Sequence, residues 1–216
     1  MTIKGLTPKE YWESKLLLNR HLRIVDRDFP DQVRLKYLLE SLNKLNENES
    51  ATNYIKRVRR LLPNLPKEIV RTWLYEHNAC IEDFIELPIE FFNIRKEQIS
   101  RSHIEAYEVQ RNSPVDKNLD QLNDRDYQLR VMTDPEAPMK RILEYLTEHK
   151  KWPGRPIILH TKSLPEGYLL RGCEPARPLE VLEGFRRFSV YRHYCLESTF
   201  EPVQKIFLVT INTIHH

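Results

Sequence analysis

The stretch Val181-Leu182-Glu183-Gly184-Phe185-Arg186-Arg187-Phe188 orders its residue types in a way that suits holding an anion. Leu179 to Leu182 reads as a strand ending at Gly184, and the spacing of Phe185, Phe188, Tyr191 and Cys195 predicts a helix after it. At Gly184 the missing Cβ permits positive φ or the close approach of a ligand. The first amides of a helix have no acceptor within it and point outward, which makes a ready anion site. Arg186 and Arg187 stand in that first turn, and their guanidinium forks match phosphate oxygens. Their position runs against local preference, because a cation near a helix N-terminus opposes the macrodipole by about 0.3–1 kcal/mol. A bound anion would offset this. So would pairing with Glu180, Glu183 or a carboxylate from elsewhere in the chain, and the residues alone leave both accounts open.

Carboxylates and a histidine widen the chemistry. Glu183 precedes the glycine, Glu86 and Glu90 lie in the run Phe84 to Phe92, and His160 follows the apolar segment Ile157-Ile158-Leu159. A carboxylate beside a phosphate can act as a base or hold a magnesium ion, and a histidine can exchange a proton near neutral pH. Glu183, Glu86 (with Glu90) and His160 are therefore the catalytic candidates. The competing roles are a salt-bridging or surface glutamate and a capping or solvated histidine. The sequence has no Walker loop, no Gly-x-Ser-x-Gly elbow and no zinc-protease helix motif. Cys80, Cys173 and Cys195 form no CxxC pair, and neither His77 with Cys80 nor His193 with Cys195 has a second pair at zinc spacing. No metal site is expected from protein ligands alone.

These residues need elements to position them. Trp152-Pro153-Gly154-Arg155-Pro156 reads as a turn, Ile157 to Leu159 as a short buried strand, and Tyr168-Leu169-Leu170 as another. Ile206 to Ile211 is a strongly β-prone closing strand. A helix is expected from Asp134-Pro135, with Met139, Ile142, Leu143 and Leu146 on its apolar face. Before it, residues 100–130 are polar and punctuated by Asn112-Ser113-Pro114 and Asn123-Asp124, which suggests a lid, a binding loop or a disordered segment. Phe84 to Phe92, rich in β-branched and aromatic residues and broken by Pro88, reads as an edge strand.

The first eighty residues read as helices. Thr7-Pro8-Lys9-Glu10 is a capping box, with Trp12 and Leu16 on the buried side of the helix it opens. Leu35, Leu38, Leu39, Leu42 and Leu45 mark a second helix. Tyr54, Ile55, Val58, Leu61 and Leu62 mark a third, and Ile69, Val70, Trp73 and Leu74 a fourth. The basic run Lys56, Arg57, Arg59, Arg60 reads as the solvated face of the third helix rather than a nucleic-acid patch. The expectation is an α+β chain with a helical bundle over 1–80 and a small mixed-sheet α/β domain over 84–216.

With 30% charged and 40% hydrophobic residues in 216, the composition is globular. No apolar run approaches the roughly 18 residues that span a bilayer, and Met1 to Gly5 does not open a signal peptide. A cytoplasmic protein without a membrane partner is expected. The net charge of +3 permits a polyanionic partner without demanding one.

Gly184-Phe185-Arg186-Arg187 after an apolar strand resembles the Gly-x-Arg-Arg phosphate box of the ParB/sulfiredoxin superfamily. The helix from Met139 to His149, the turn Trp152 to Pro156 and the strand Pro156 to Leu159 are similar to the segment that precedes that box. Phe200 to Ile211 resembles the closing strand. The resemblance spans Phe84 to Ile211 and is best over Pro156 to Arg192. It implies that Gly184, Arg186 and Arg187 contact the phosphates of a nucleoside diphosphate or triphosphate, with magnesium as a companion ion. It further implies a nucleotide-dependent enzyme or switch acting on or with nucleic acid. The alternative is a non-enzymatic regulator that keeps the fold and binds DNA or a protein, with the N-terminal helices as the protein-binding part. Sulfiredoxins carry a reactive cysteine directly after the glycine of their box. Phe185 stands there in this chain, and Cys173 lies upstream, so sulfinic-acid reduction is not expected. The insertion Arg171 to Pro178 also lengthens the connection before the box.

Overall fold

The computed structural model describes residues 32–78, 81–85, 87–109, 113–134, 136–164, 175–194 and 202–211. These fall into two compact units, one within 1–94, 163–174 and 210–216, the other within 95–162 and 175–209. The chain is a mixed α+β protein, with a four-stranded sheet among the described residues. Among the described residues, no helix is long and apolar enough to cross a membrane.

In the first unit, α1 (Gln32–Leu42) and α2 (Ala51–Leu61) are followed by α3 (Lys67–Ile69), which runs on into a π-helical turn, Val70–Tyr75. The Ser50 side chain caps α2 by accepting the Asn53 amide at 3.3 Å. Leu38, Leu42, Tyr54, Val58, Trp73 and Leu74 are buried, as helical spacing predicts. Leu45 lies past the end of α1 and is exposed. Within the basic run, Lys56 and Arg60 are exposed, as a solvated face requires, but Arg57 is not. Its guanidinium donates to Ser41 O and Asn43 O and pairs with Glu49 at 2.9 Å, tying the α1–α2 connection to α2. A helix wheel cannot show this, because the acceptors are carbonyls freed at the end of the preceding helix.

The Glu49 carboxyl is held below its ordinary value of 4.5 by the Arg57 hydrogen bond, against the upward push of burial and with help from the Leu45 amide. A carboxyl depressed in the fold adds stability above its unfolded pKa and loses it as pH falls through the folded value. Between about pH 7 and about pH 3, the urea midpoint of the parent should therefore fall more steeply than that of Glu49→Gln. Parallel pH profiles for the two proteins would contradict this account of Arg57.

The run Phe84 to Phe92 is not a strand. A short helix, α4 (Ile81–Ile85), and a 3₁₀ turn, Ile89–Phe91, occupy it, and β1 begins at Phe92 and runs to Ser100. Pro88 has no amide to donate to a ladder, and it opens the 3₁₀ turn instead. The Asn64 side-chain amide then satisfies Ile89 O at 2.9 Å and Phe92 O at 3.0 Å, acceptors that a neighbouring strand would otherwise serve. The real strand carries no sequence signal, because Arg95 to Gln98 are exposed on both faces, which removes the alternating pattern.

In the second unit most of the described residues in the polar stretch 100–130 are helical. The stretch holds α5 (Arg101–Glu105), α6 (Pro114–Asn123) and α7 (Arg125–Thr133). Of the residues that suggest turns, Ser113 and Asp124 are helix caps. Ser113 Oγ accepts the Asp116 amide at 3.1 Å with Pro114 in the first turn, and Asp124 Oδ1 accepts the amides of Asp126 and Tyr127. Val115 and Leu122 anchor α6 to the core. The next helix, α8, starts at Pro138 rather than at Asp134-Pro135 and runs to His149, where Lys150 takes a left-handed conformation.

The sheet has the order β1-β4-β2-β3, with β2 at Ile157–His160, β3 at Leu179–Glu183 and β4 at Val203–Ile211. β2 pairs parallel with β4, placing Ile158 beside Leu208, and antiparallel with β3, placing Ile158 beside Val181. The end of β1 meets the start of β4, where Arg101 N donates to Pro202 O at 2.7 Å, so these neighbours run in opposite directions. Between β3 and β4 comes α9 (Phe185–Tyr194), which packs on α6 and α8. Phe188, Ser189, Val190 and Tyr191 are all buried, so α9 is enclosed rather than laid on a surface. Trp152 pins the turn before β2. Its ring meets Tyr191 edge-on at 5.2 Å, its indole N–H donates to Lys205 O at 2.8 Å, and its amide donates to Gln204 Oε1 at 3.0 Å. The expected helix after Thr7, the expected strand Tyr168 to Leu170, Glu86 and all three cysteines lie outside the described residues.

Candidate anion site at the start of α9

β3 ends at Glu183, Gly184 turns the chain with φ +90°, and the Phe188 amide donates to Gly184 O at 2.9 Å as α9 begins. Helix geometry leaves the amides before that bond, among them those of Arg186 and Arg187, without an acceptor inside the helix. Glycine is required at 184 twice over. Positive φ strains any other residue, and a Cβ would lie 2.9 Å from Pro156 Cβ and 3.1 Å from Pro156 Cα.

Arg187 turns inward. Its Nη1 donates to Pro153 O at 3.0 Å, and its Nη2 reaches both carboxylate oxygens of Glu183, at 2.6 and 2.5 Å. The two side chains are 20% and 22% exposed. Two turn glycines make room for this guanidinium. A Cβ on Gly154, which has φ +67°, would lie 2.8 Å from Nη1, and one on Gly184 would lie 3.1 Å from Nη2. Arg187 thus joins the turn before β2 to the turn after β3. Of the two accounts open from sequence, the one in which Glu183 pairs with an arginine is realised at Arg187.

Arg186 behaves differently. It is exposed and makes no hydrogen bond or ion pair among the described residues. Among the described residues, nothing offsets its charge at the positive end of α9.

The other candidates are not gathered at this turn. His160 pairs in register with Leu179, whereas Glu183 pairs with Ile157, so the two sit at opposite ends of the β2–β3 ladder. Three residues along β2 separate them by about 10 Å. Glu90 is buried in the 3₁₀ turn of the first unit. Glu180 accepts the Ala176 amide at 2.7 Å, and burial, then the Glu180 charge, push the Tyr107 hydroxyl well above its ordinary range.

Pro153 and Gly154 also belong to the site, and the glycine inside Trp-Pro-Gly-Arg-Pro is the sequence signal for the close approach of Arg187. Arg192 has no such signal: its guanidinium donates to Tyr107 O and, at 3.4 Å, to Ile104 O, holding the chain after α5 against α9. Ser100 Oγ lies 2.6 Å from His103 Nδ1 and accepts the His103 amide at 3.3 Å, a capping arrangement at the start of α5 with histidine in the place of glutamate. Among the described residues, no group of three or more His, Cys, Asp or Glu is placed to hold a metal ion. The chain matches no protein-family model, no curated protein and no solved structure.

Proposed function

We propose that the C-terminal part of the chain, 84–216, is a ParB/sulfiredoxin-like domain that binds nucleotide phosphate at the start of α9. The observation that carries this is Arg186, exposed and without a partner among the described residues, in the first turn of a helix entered through a positive-φ glycine. A phosphate there would meet first-turn amides that have no acceptor within the helix, the favourable end of the helix dipole and one exposed guanidinium. A nucleoside diphosphate or triphosphate, accompanied by magnesium, is the proposed ligand, and the protein is a nucleotide-dependent enzyme or switch working with nucleic acid.

A second reading, a regulator that binds DNA or a protein partner without catalysis, draws on two observations. Glu183 is committed to Arg187, and His160 stands at the far end of the ladder, so these acid–base candidates do not converge on the turn.

Melting curves with a panel of nucleotides, with and without magnesium, test the proposal. A nucleotide at roughly 100 times its Kd should add about 2.7 kcal/mol of stability, and Arg186→Ala should abolish that shift without lowering the melting point of the free protein. Salt-sensitive binding to DNA with no nucleotide response favours the second reading. A nucleotide shift that survives Arg186→Ala removes the proposed site.

A further inference from the structure

We infer that the end of the sheet at the turn 150–156 is a landing surface for the phosphate backbone of a nucleic acid, with Lys205, Arg155, Arg186 and Lys151 as its cations. The inference deepens the nucleic-acid part of the reading above and rests on that part, not on the nucleotide site.

Hydrogen bonds between segments far apart in the chain assemble this surface. β2 and β4 run parallel with Ile157 beside Phe207, and the Phe207 amide donates to Pro156 O at 2.9 Å, so the pairing continues past the start of β2. Two places before Ile157 and Phe207 stand Arg155 and Lys205, which strand alternation puts on the same side of the sheet. The Arg155 guanidinium lies over the Phe207 ring accordingly, 5.6 Å from its centroid. On the other flank of β2, Glu183 of β3 pairs with Ile157, and the chain continues through Gly184 to Arg186. Three neighbouring strand ends thus carry one cation each, spread over about 10 Å at the backbone. That is the axial rise of about three nucleotides in one strand. Lys151 adds a fourth cation. Trp152 fixes it beside β4, its amide donating to Gln204 Oε1 at 3.0 Å and its indole N–H to Lys205 O at 2.8 Å, while Gln204 Nε2 donates to Lys150 O at 3.4 Å. Gln204 is buried, so the fold itself sets the spacing of these cations.

Lys151 on its own would be accounted for by the end of α8, where a cation complements the helix dipole. Lys205 lies within β4 and has no such role. Lys151, Lys205 and Arg186 are exposed and form no ion pair among the described residues. The turn and β4 carry no carboxylate. On β3 and α8, Glu183 is paired with Arg187, Glu180 accepts the Ala176 amide, Glu144 is paired with Lys140, and Glu148 lies 3.7 Å from His149. β1, beside β4, carries Glu97 but also Arg95 and Lys96. A row of cations facing solvent, with positive charge in excess, suits an extended polyanion laid across it.

Anisotropy of a fluorescent DNA duplex of arbitrary sequence, titrated with the full chain over a series of salt concentrations, tests this. With about three phosphates engaged, log affinity should fall against log salt with a slope of about −3. Lys151→Gln and Lys205→Gln should each weaken binding about three- to tenfold and make the slope shallower by about 1, whatever the duplex sequence. Lys205→Arg keeps the charge and should keep both affinity and slope. Lys162→Gln, which changes an exposed lysine at the opposite end of β2, should alter neither. Equal losses from Lys162→Gln would mean a response to net charge alone and would overturn the surface, as would a slope that neither Lys151→Gln nor Lys205→Gln reduces. Tighter binding of polyglutamate than of the duplex would assign the surface to an acidic protein segment and overturn the nucleic-acid partner. Absence of duplex binding at low salt would end the inference. Lys151 and Lys205 lie outside the proposed nucleotide contacts, so the nucleotide melting shift should persist in both variants. Duplex binding that follows this pattern without any nucleotide shift would remove the nucleotide site and leave this surface standing.

Discussion

Gly184→Ala should lower the free energy of unfolding by about 2–5 kcal/mol, the sum of backbone strain at a left-handed position and of overpacking. The backbone at 184 has φ +90°, outside the region an L side chain adopts without strain. The new methyl would also meet Pro156 at 2.9 and 3.1 Å, and one of those atoms is backbone that closes the turn before β2. Pro156 cannot yield easily, because its carbonyl accepts the Phe207 amide at 2.9 Å and so sets the β2–β4 register. Gly154→Ala is the comparison. Its φ of +67° lies in the milder left-handed region, and the atom it would strike is the tip of a flexible arginine, so about 1–2 kcal/mol is expected. Urea titrations of both variants give the order directly. A Gly184→Ala protein within about 0.5 kcal/mol of the parent would mean that the two turns are not held together as described.

The element at the centre of the site was legible in sequence because three independent signals agreed there. An apolar strand, a glycine and a helix-period aromatic set all mark the passage from β3 to α9, and the observed bounds are Leu179–Glu183 and Phe185–Tyr194. Local signals failed where they had two meanings. Ser113-Pro114 and Asp124 are turn residues and helix caps alike, and only the buried partners of Val115 and Leu122 decide between them. Phe84 to Phe92 has strand-like composition. Its backbone is nonetheless claimed by Pro88 and by Asn64, which lies more than twenty positions earlier in the chain. β1 was illegible for the opposite reason, since an edge strand with four consecutive exposed residues has no period to find. The two arginines were ambiguous in the same sense. Both stand in the first helical turn, and sequence shows neither the carbonyl of Pro153 nor the space that Gly154 leaves, which together draw Arg187 inward and leave Arg186 outside.

Arg187→Ala should cost about 2–3 kcal/mol of stability, between the 0–1 kcal/mol of a surface ion pair and the 3–5 kcal/mol of breaking a buried one. The intermediate figure follows from exposure, since both side chains keep about one-fifth of their surface in contact with solvent, which screens the pair. The loss has two parts. One is the bridge between turns, in which Pro153 O loses its donor. The other is the Glu183 carboxylate, left half-buried with its cation gone. A positive charge at a helix N-terminus opposes the dipole, so its removal alone would raise stability by about 0.3–1 kcal/mol, too little to reverse the sign. Arg186→Ala isolates that small favourable effect, because Arg186 has no partner to lose among the described residues, and it should leave stability level or slightly higher. Adding Glu183→Gln to Arg187→Ala removes the stranded charge and should restore about 1 kcal/mol of the deficit. Equilibrium denaturation of these variants without ligand separates the terms. Were Arg187→Ala as stable as Arg186→Ala, the inward ion pair would carry no weight in the fold.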